Sequence, residues 1–214
     1  MSYRFPEGSK FFFTTSFDTA NTVTAATNAS PCVLTSAAHG LIDDDVVLFD
    51  SSWEDATESL YMVNQLTDDS LELLGLNSSD TNLFPAGSGV GTISKVTGWT
   101  ELPQVLSIST SGGDARYTTV SQLAKRNDIN IPTGFNAMTI TVEMGHDPAN
   151  VNFQSMLDAS RAMKLVGFKM VGAGGSGFGY GYMSVNEFPT LNRNEVNKVS
   201  AVFSFNGRFM SYSA

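Results

Sequence analysis

Between residues 24 and 97 no apolar pattern lasts longer than a strand, and each is stopped by turn residues. "PCVLTSA" gives way to "HGLIDD", and "DVVLFD" follows. "SLYMVNQLTDDSLELLGL" folds back at Asp68-Asp69, and "FPAGSGVGTISKV" is a glycine-rich loop feeding a last apolar run. Runs this short cannot build amphipathic helices of ordinary length. They read as β-strands, because Asp and Ser close turns through side-chain bonds to the backbone and tolerate left-handed conformations. About 70 residues in five or six such strands suffice for a small barrel or sandwich.

The flanking residues, 1 to about 23 and 98 to 214, follow a different pattern. "KFFFTTSF" reads as a strand, and "TELPQVLSIST" as another, with Val105, Ser107 and Ser109 opposite Leu106, Ile108 and Thr110. "NAMTITVEMG" puts Met138, Ile140, Val142 and Met144 on one face and Thr139, Thr141 and Glu143 on the other, the signature of a half-buried strand. Near the C-terminus Val199, Ala201, Phe203 and Phe205 share a face in the same way. One helical pattern lies between. Phe153, Met156, Leu157, Ser160 and Met163 recur at helical spacing over about 150 to 164, opened by Pro148 or capped by Asn150 or Asn152. "VGFKMV" beyond Gly167 reads as a strand. Residues 111 to 134 read as a long polar connection carrying Arg116, Lys125 and Arg126. "GAGGSGFGYGYM" reads as a flexible hairpin tip or packing loop.

The fold class that follows is mainly β (α+β). It is a β-sandwich or barrel with one flanking helix, which packs on the sheet through Phe153, Met156 and Leu157, plus an inserted small β-barrel domain. Residues 1–23 and 98–214 form the discontinuous core domain in this reading, and 24–97 the insert.

Charge divides the chain along the same boundary. Residues 27 to 97 hold eleven acids and one base, Lys95, while 98 to 214 hold nine bases and eight acids. Nearly the whole net charge of -9 therefore sits in the insert, which implies different surroundings for the two regions. A chain this acidic, with no basic stripe, does not bind nucleic acid by the usual electrostatic route. One cysteine, Cys32, rules out an internal disulfide framework and any zinc site of several thiolates, and reads as a small buried residue. No apolar run approaches the length of a membrane span, and "MSYRFPEGSKFFF" has no secretory h-region, so synthesis in the cytoplasm is expected and a membrane partner is not.

The chemistry-bearing residues form no catalytic constellation. His39 lies near Asp43, Asp44 and Asp45, but three adjacent aspartates on a strand point to alternate faces and lack the offsets of a calcium loop. His146-Asp147-Pro148 reads as a polar turn before the helix, with Asp147 favourable to the helix dipole. The glycine-rich stretch lacks the Gly-Lys-Ser/Thr ending and the following helix of a phosphate cradle. The expectation is no enzyme, no cofactor and no metal.

Two resemblances give these pieces a setting. "TSAAHGLIDDDVVLF", "YMVNQLTDDSLELLGL" and "GSGVGTISKV" resemble a small β module common in phage structural proteins, built around His-Gly-Leu, a Gly-Asp turn and a Val-Val strand. His39, Gly40, Leu41, Asp45, Val46 and Val47 match it, and Asp44 stands where the module carries Gly. The resemblance implies that His39, Gly40 and Asp45 build a structural turn: His39 ties it by a backbone hydrogen bond, and Gly40 supplies a conformation forbidden to side chains. The second region resembles a siphophage tail tube protein in the order of "WTELPQVLSISTSGGDARYTTVSQL", "NDINIPTGFNAMTITVEMGHDP", the helix and "VNKVSAVFSFNGRFMSYS". That family implies stacked homohexameric rings, tape measure and terminator proteins as partners, a virion location, and DNA passing through the lumen without specific binding. Arg116, Lys125 and Arg126 become candidates for contact with carboxylates of a neighbouring copy. The acidic insert is expected outside the tube, so that deleting about residues 27 to 96 should leave thinner tubes. Leu157→Asp should abolish assembly.

The alternatives are another virion protein, such as a tail terminator, baseplate or decoration protein, and a carbohydrate-binding β module using Trp53 or Trp99. Both tryptophans read more simply as packing anchors.

Overall fold

The computed structural model describes residues 7–172 and 174–213. Residues 1–6 of the expected core domain, and Ala173 in the glycine-rich stretch, lie outside the described residues. Among the described residues strand β1 (Lys10–Thr14) comes first, and the chain then runs through seven strands that form one antiparallel sheet: β2 (Asn21–Val23), β3 (Ala25–Ala26), β4 (Cys32–Thr35), β5 (Val46–Ser51), β6 (Ser59–Thr67), β7 (Ser70–Leu73) and β8 (Gly91–Lys95). Their order is β2-β8-β5-β6-β7-β4-β3. Residues 21–23 thus pair with β8, on the insert's side of the expected boundary. This sheet wraps around its own core of Leu34, Val47, Phe49, Trp53, Tyr61, Val63, Leu71, Leu73 and Phe84.

The chain then enters the second sheet with β9 (Thr100–Glu101), β10 (Val105–Ser111), the pair β11 (Ala115–Val120) and β12 (Ile129–Phe135), and β13 (Thr139–Gly145). Helix α1 (Val151–Arg161) follows, then β14 (Leu165–Gly172), β15 (Gly175–Val185), β16 (Lys198–Phe205) and β17 (Met210–Ser213). The sheet order is β10-β13-β16-β15-β14-β1-β9, with β17 also pairing β15. The alternation read for β13 and β16 places Ile140, Val142, Met144, Val199, Ala201, Phe203 and Phe205 in one core with Phe13, Val166 and Phe168. The sheet curls until β10 lies across a groove of about 460 Å³ from Ser9 and Phe11, which leaves a nearly closed barrel.

Helix α1 begins where Asn150 caps it, its side chain accepting the N–H groups of Asn152 (2.9 Å) and Phe153 (3.2 Å). Of the three packing residues expected, Phe153 and Met156 are buried with Ala159, while Leu157 is half-buried at the rim of the core. Asp147 accepts the Ala149 N–H, and His146 meets Phe153 edge-on, so both belong to the turn that launches the helix.

Three expectations are corrected. The 111–134 connection is not irregular: Ala115–Val120 and Ile129–Phe135 pair antiparallel as a hairpin. The glycine-rich stretch is a hairpin tip only at its start, where Gly172 pairs with Gly175; from Gly175 on it is β15, in the middle of the large sheet, pairing β14 on one side and β16 and β17 on the other. The glycines have a packing reason: a Cβ on Gly179 would fall 2.6 Å from the Phe205 ring, so the ring occupies the space that a side chain there would need. Finally, β10 does not alternate strictly. A bulge between Val105 and Ser107 leaves Leu106 as the extra residue, and Val105 and Ile108 both turn to the core.

Candidate assembly surface

The insert is seated on the outer side of the large sheet. Val46, Leu60 and Val96 form a third apolar cluster with Phe178 and Tyr180 of β15, joined by Phe17, Trp99 and Tyr212. The Tyr212 hydroxyl donates to the Leu74 carbonyl (2.8 Å) and accepts the Met62 N–H (3.1 Å). Burial pushes that phenol up to about 12, so at neutral pH it keeps the proton it donates. Arg208 adds an ion pair to Asp55 at 3.0 Å, which is half exposed and worth little by itself.

Lys169 occupies the same face, where cross-strand pairing puts it between Phe12 and Phe178. Its ammonium lies 5.4 Å from the Trp99 ring and 5.8 Å from each of the two phenylalanines, and burial lowers its pKa. Trp99 is therefore half-buried under the ammonium, and Trp53 is 1% exposed with its indole N–H donated to the Pro85 carbonyl. Trp53 is a packing residue of the insert core, and Trp99 packs, partly buried, against Phe178 and Lys169. Cys32 is fully buried, and burial pushes its thiol up.

The His39 turn forms one end of the insert. His39 is 4% exposed; its Nδ1 accepts the Leu41 N–H and its Nε2 lies 3.0 Å from the Thr67 carbonyl. Because Nδ1 accepts, the proton sits on Nε2 and is donated to Thr67. Gly40 and Asp44 both have positive φ, 64° and 66°. Asp45 accepts the Ile42 N–H and pairs with Lys95 at 2.6 Å. His39→Ala would leave Leu41 N–H and Thr67 C=O without partners, at an expected cost of about 2–4 kcal/mol. A denaturation midpoint within about 0.5 kcal/mol of wild type would show the turn held by other means. Among the described residues no three His, Cys, Asp or Glu side chains converge to hold a metal ion.

Two features of this half of the chain lack partners: an edge of the large sheet and the separate two-stranded sheet β11–β12. Strand β10 is an edge, with the groove on its free side. The β11–β12 hairpin stands away from both cores, and all its hydrogen bonds are internal. Its register puts Val120 opposite Ile129 and Thr118 opposite Ile131 on one face, and Tyr117 opposite Pro132 on the other. Tyr117, Ile131 and Phe135 are 62%, 47% and 74% exposed. Arg116 lies on the strand, and Lys125 and Arg126 lie in the exposed tip. Among the described residues none of the three is within ion-pair reach of a carboxylate. A two-stranded ribbon that packs on nothing is marginal in water, so a surface of this kind implies a partner.

The hairpin was the element that sequence reading missed. Its signal was the Ile129/Ile131 alternation facing Thr118/Val120, faint beside the polar residues around it.

No curated protein matches the chain. A solved structure described as the tail of an empty GTA particle, computed with helical refinement and C6 symmetry, has 10% sequence identity and a TM-score of 0.40, covering 55% of this chain and 89% of that one. That likeness is too loose to transfer detail. The family model for the phage tail tube protein matches residues 51–214, more than half of the chain and nearly all of the large sheet. The chain therefore belongs to the phage tail tube protein family and is a structural subunit of a bacteriophage tail tube, a component of the virion tail.

Proposed function

We propose that copies of this chain close into six-membered rings, that the rings stack into the tube, and that DNA passes down the lumen without specific binding. The observation that carries the reading is the unpartnered edge of β10 together with the unpacked hairpin on a chain of this family. An open edge is a hazard in a monomer and is removed when neighbours pair around a ring. The hairpin has the reach to contact an adjacent copy, and Arg116, Lys125 and Arg126 would face carboxylates there.

The face of β10, β13 and β16 turned away from the core supports a passive lumen wall. Cross-strand rows run Ser111–Thr139–Ser204 and Ser109–Thr141–Val202, and then Ser107–Glu143–Ser200. These rows carry hydroxyl groups, one valine and one carboxylate, and the one base on the same face, Lys198 at the end of β16, is paired with Glu195 at 3.7 Å, so phosphates find little to grip. In this reading the core domain is built from 1–23 and 98–214, except that residues 21–23 pair into the insert's sheet. The acidic domain of 24–97 lies outside the tube, and other tail proteins, such as tape measure and terminator proteins, are its partners. The architecture calls for no catalysis, in keeping with a structural family.

Negative-stain images of the purified protein test the reading. Hollow filaments whose end views average to six-fold symmetry are the expected result. Particles that stay single at high concentration would overturn it, and rings of another order would overturn the six-fold part.

A further inference from the structure

The hairpin has a counterpart on the same chain. At the His39 end of the insert, the turn bearing Ile42 is pinned to the end of β6 that bears Leu66. Gln65 N–H donates to the Asp43 carboxylate (2.7 Å) and Asp44 N–H to the Val63 carbonyl (3.0 Å). The neighbouring Asp68-Asp69 turn is joined on by Ala38 N–H to the Asp69 carboxylate (2.8 Å) and His39 N–H to the Asp68 carbonyl (3.2 Å). The result is one end surface with two exposed apolar side chains, Ile42 (60%) and Leu66 (47%), among four exposed carboxylates, Asp43, Asp44, Asp68 and Asp69. Lys95, the single base between 27 and 97, is held by Asp45 and neutralises none of them.

The hairpin is the inverse of this surface. It pairs exposed aliphatic side chains, Ile129 and Ile131, with three unpaired cations, Arg116, Lys125 and Arg126. Each patch is unsatisfied alone, and they match in apolar content and oppose in sign. We propose that the β11–β12 hairpin of one copy docks on the His39 end of the insert of a second copy, with Lys125 and Arg126 against Asp43, Asp44, Asp68 and Asp69. The contact is heterologous, since two different patches meet, so it propagates from copy to copy. It gives the acidic insert a part in assembly beyond covering the outside of the tube. The inference rests on the self-assembly proposed above, but it can fail while that stands.

The test uses the full chain and charge reversal at positions outside both cores. Lys125→Glu with Arg126→Glu alters the hairpin tip. Asp68→Lys with Asp44→Asn alters the insert end: the Asp68 side chain makes no hydrogen bond among the described residues, and Asn tolerates the positive φ of position 44. The hairpin variant is expected to raise the concentration needed for filaments about tenfold and the insert variant to raise it less, and the four changes together are expected to need less protein than the hairpin variant alone, because the insert end then presents one net negative charge to the reversed tip in place of four. Moderate salt, which shortens the screening length to about 3 Å near 1 M, is expected to weaken wild-type assembly in the same direction. Circular dichroism confirms that each variant is folded, and if the insert variant is not, the hairpin variant and the salt series decide. Filaments that form at the wild-type concentration in the hairpin variant, with no salt dependence, overturn the inference and leave self-assembly intact. A wild-type protein that never assembles overturns both.

Discussion

Met156→Asp is expected to leave no folded subunit. Met156 is fully buried against Phe153 and the β15 side of the core, with no polar group of the cluster to receive a carboxylate. Burying an ionised carboxylate there is prohibitive, so the group would protonate or the helix would leave the sheet, and either costs several kcal/mol. Domains of this kind have about 5–15 kcal/mol in total. Soluble yield, near-ultraviolet circular dichroism and filament counts should all collapse together. Met156→Leu, which conserves volume, should cost less than about 1.5 kcal/mol and keep assembly. Leu157→Asp, which the helical stripe alone nominates just as strongly, should be milder, because Leu157 sits half-exposed at the rim and a charge there can reach water. A folded Met156→Asp protein would mean that α1 does not cover the core as described.

Excision of residues 27–96 is expected to give an aggregating core and no thinner tubes. The junction decides this. Phe178 and Tyr180 are 2% and 8% exposed because Val46, Leu60 and Val96 lie over them, and the Tyr212 hydroxyl has both its partners, Met62 N–H and Leu74 C=O, in the excised segment. Uncovering each large ring removes roughly 1.5–3 kcal/mol of burial and creates an apolar patch on the sheet. Size-exclusion chromatography and thermal melting of the truncated chain read the outcome. A monodisperse, cooperatively melting core that still forms filaments would show the insert to be a separable decoration. Substituting serine for Phe178, Tyr180 and Tyr212 in the truncated chain should recover solubility if exposure of those rings is the cause.

Legibility in the sequence followed the range of the interaction. The half-buried strands β13 and β16 were plain, because each residue's face is set by its neighbours two positions away. The helix and its asparagine cap were readable for the same reason. In β15 the alternation Gly177-Phe178-Gly179-Tyr180-Gly181-Tyr182 was also a period-two signal, but glycine counts as a loop residue until the ring that lies on it is known, and Phe205 is 26 positions beyond Gly179. The bulge at Leu106 left no local mark, since it is fixed by which residues of β13 pair with β10.

The assembly surfaces divide in the same way. The concentration of acids in the insert and the bases of the 111–134 segment were visible as composition. That the bases sit on an unpacked ribbon, and that four carboxylates share an end with Ile42 and Leu66, required the fold. The sequence by itself determined the strand-and-turn character, the one helix, the charge division and the kinship with phage tail tubes, because these depend on residues close together in the chain. Tertiary structure alone decided which faces are covered, how the insert is fastened to the sheet and which edge and ribbon are left open, because those depend on contacts such as Tyr212 with Met62, 150 positions apart.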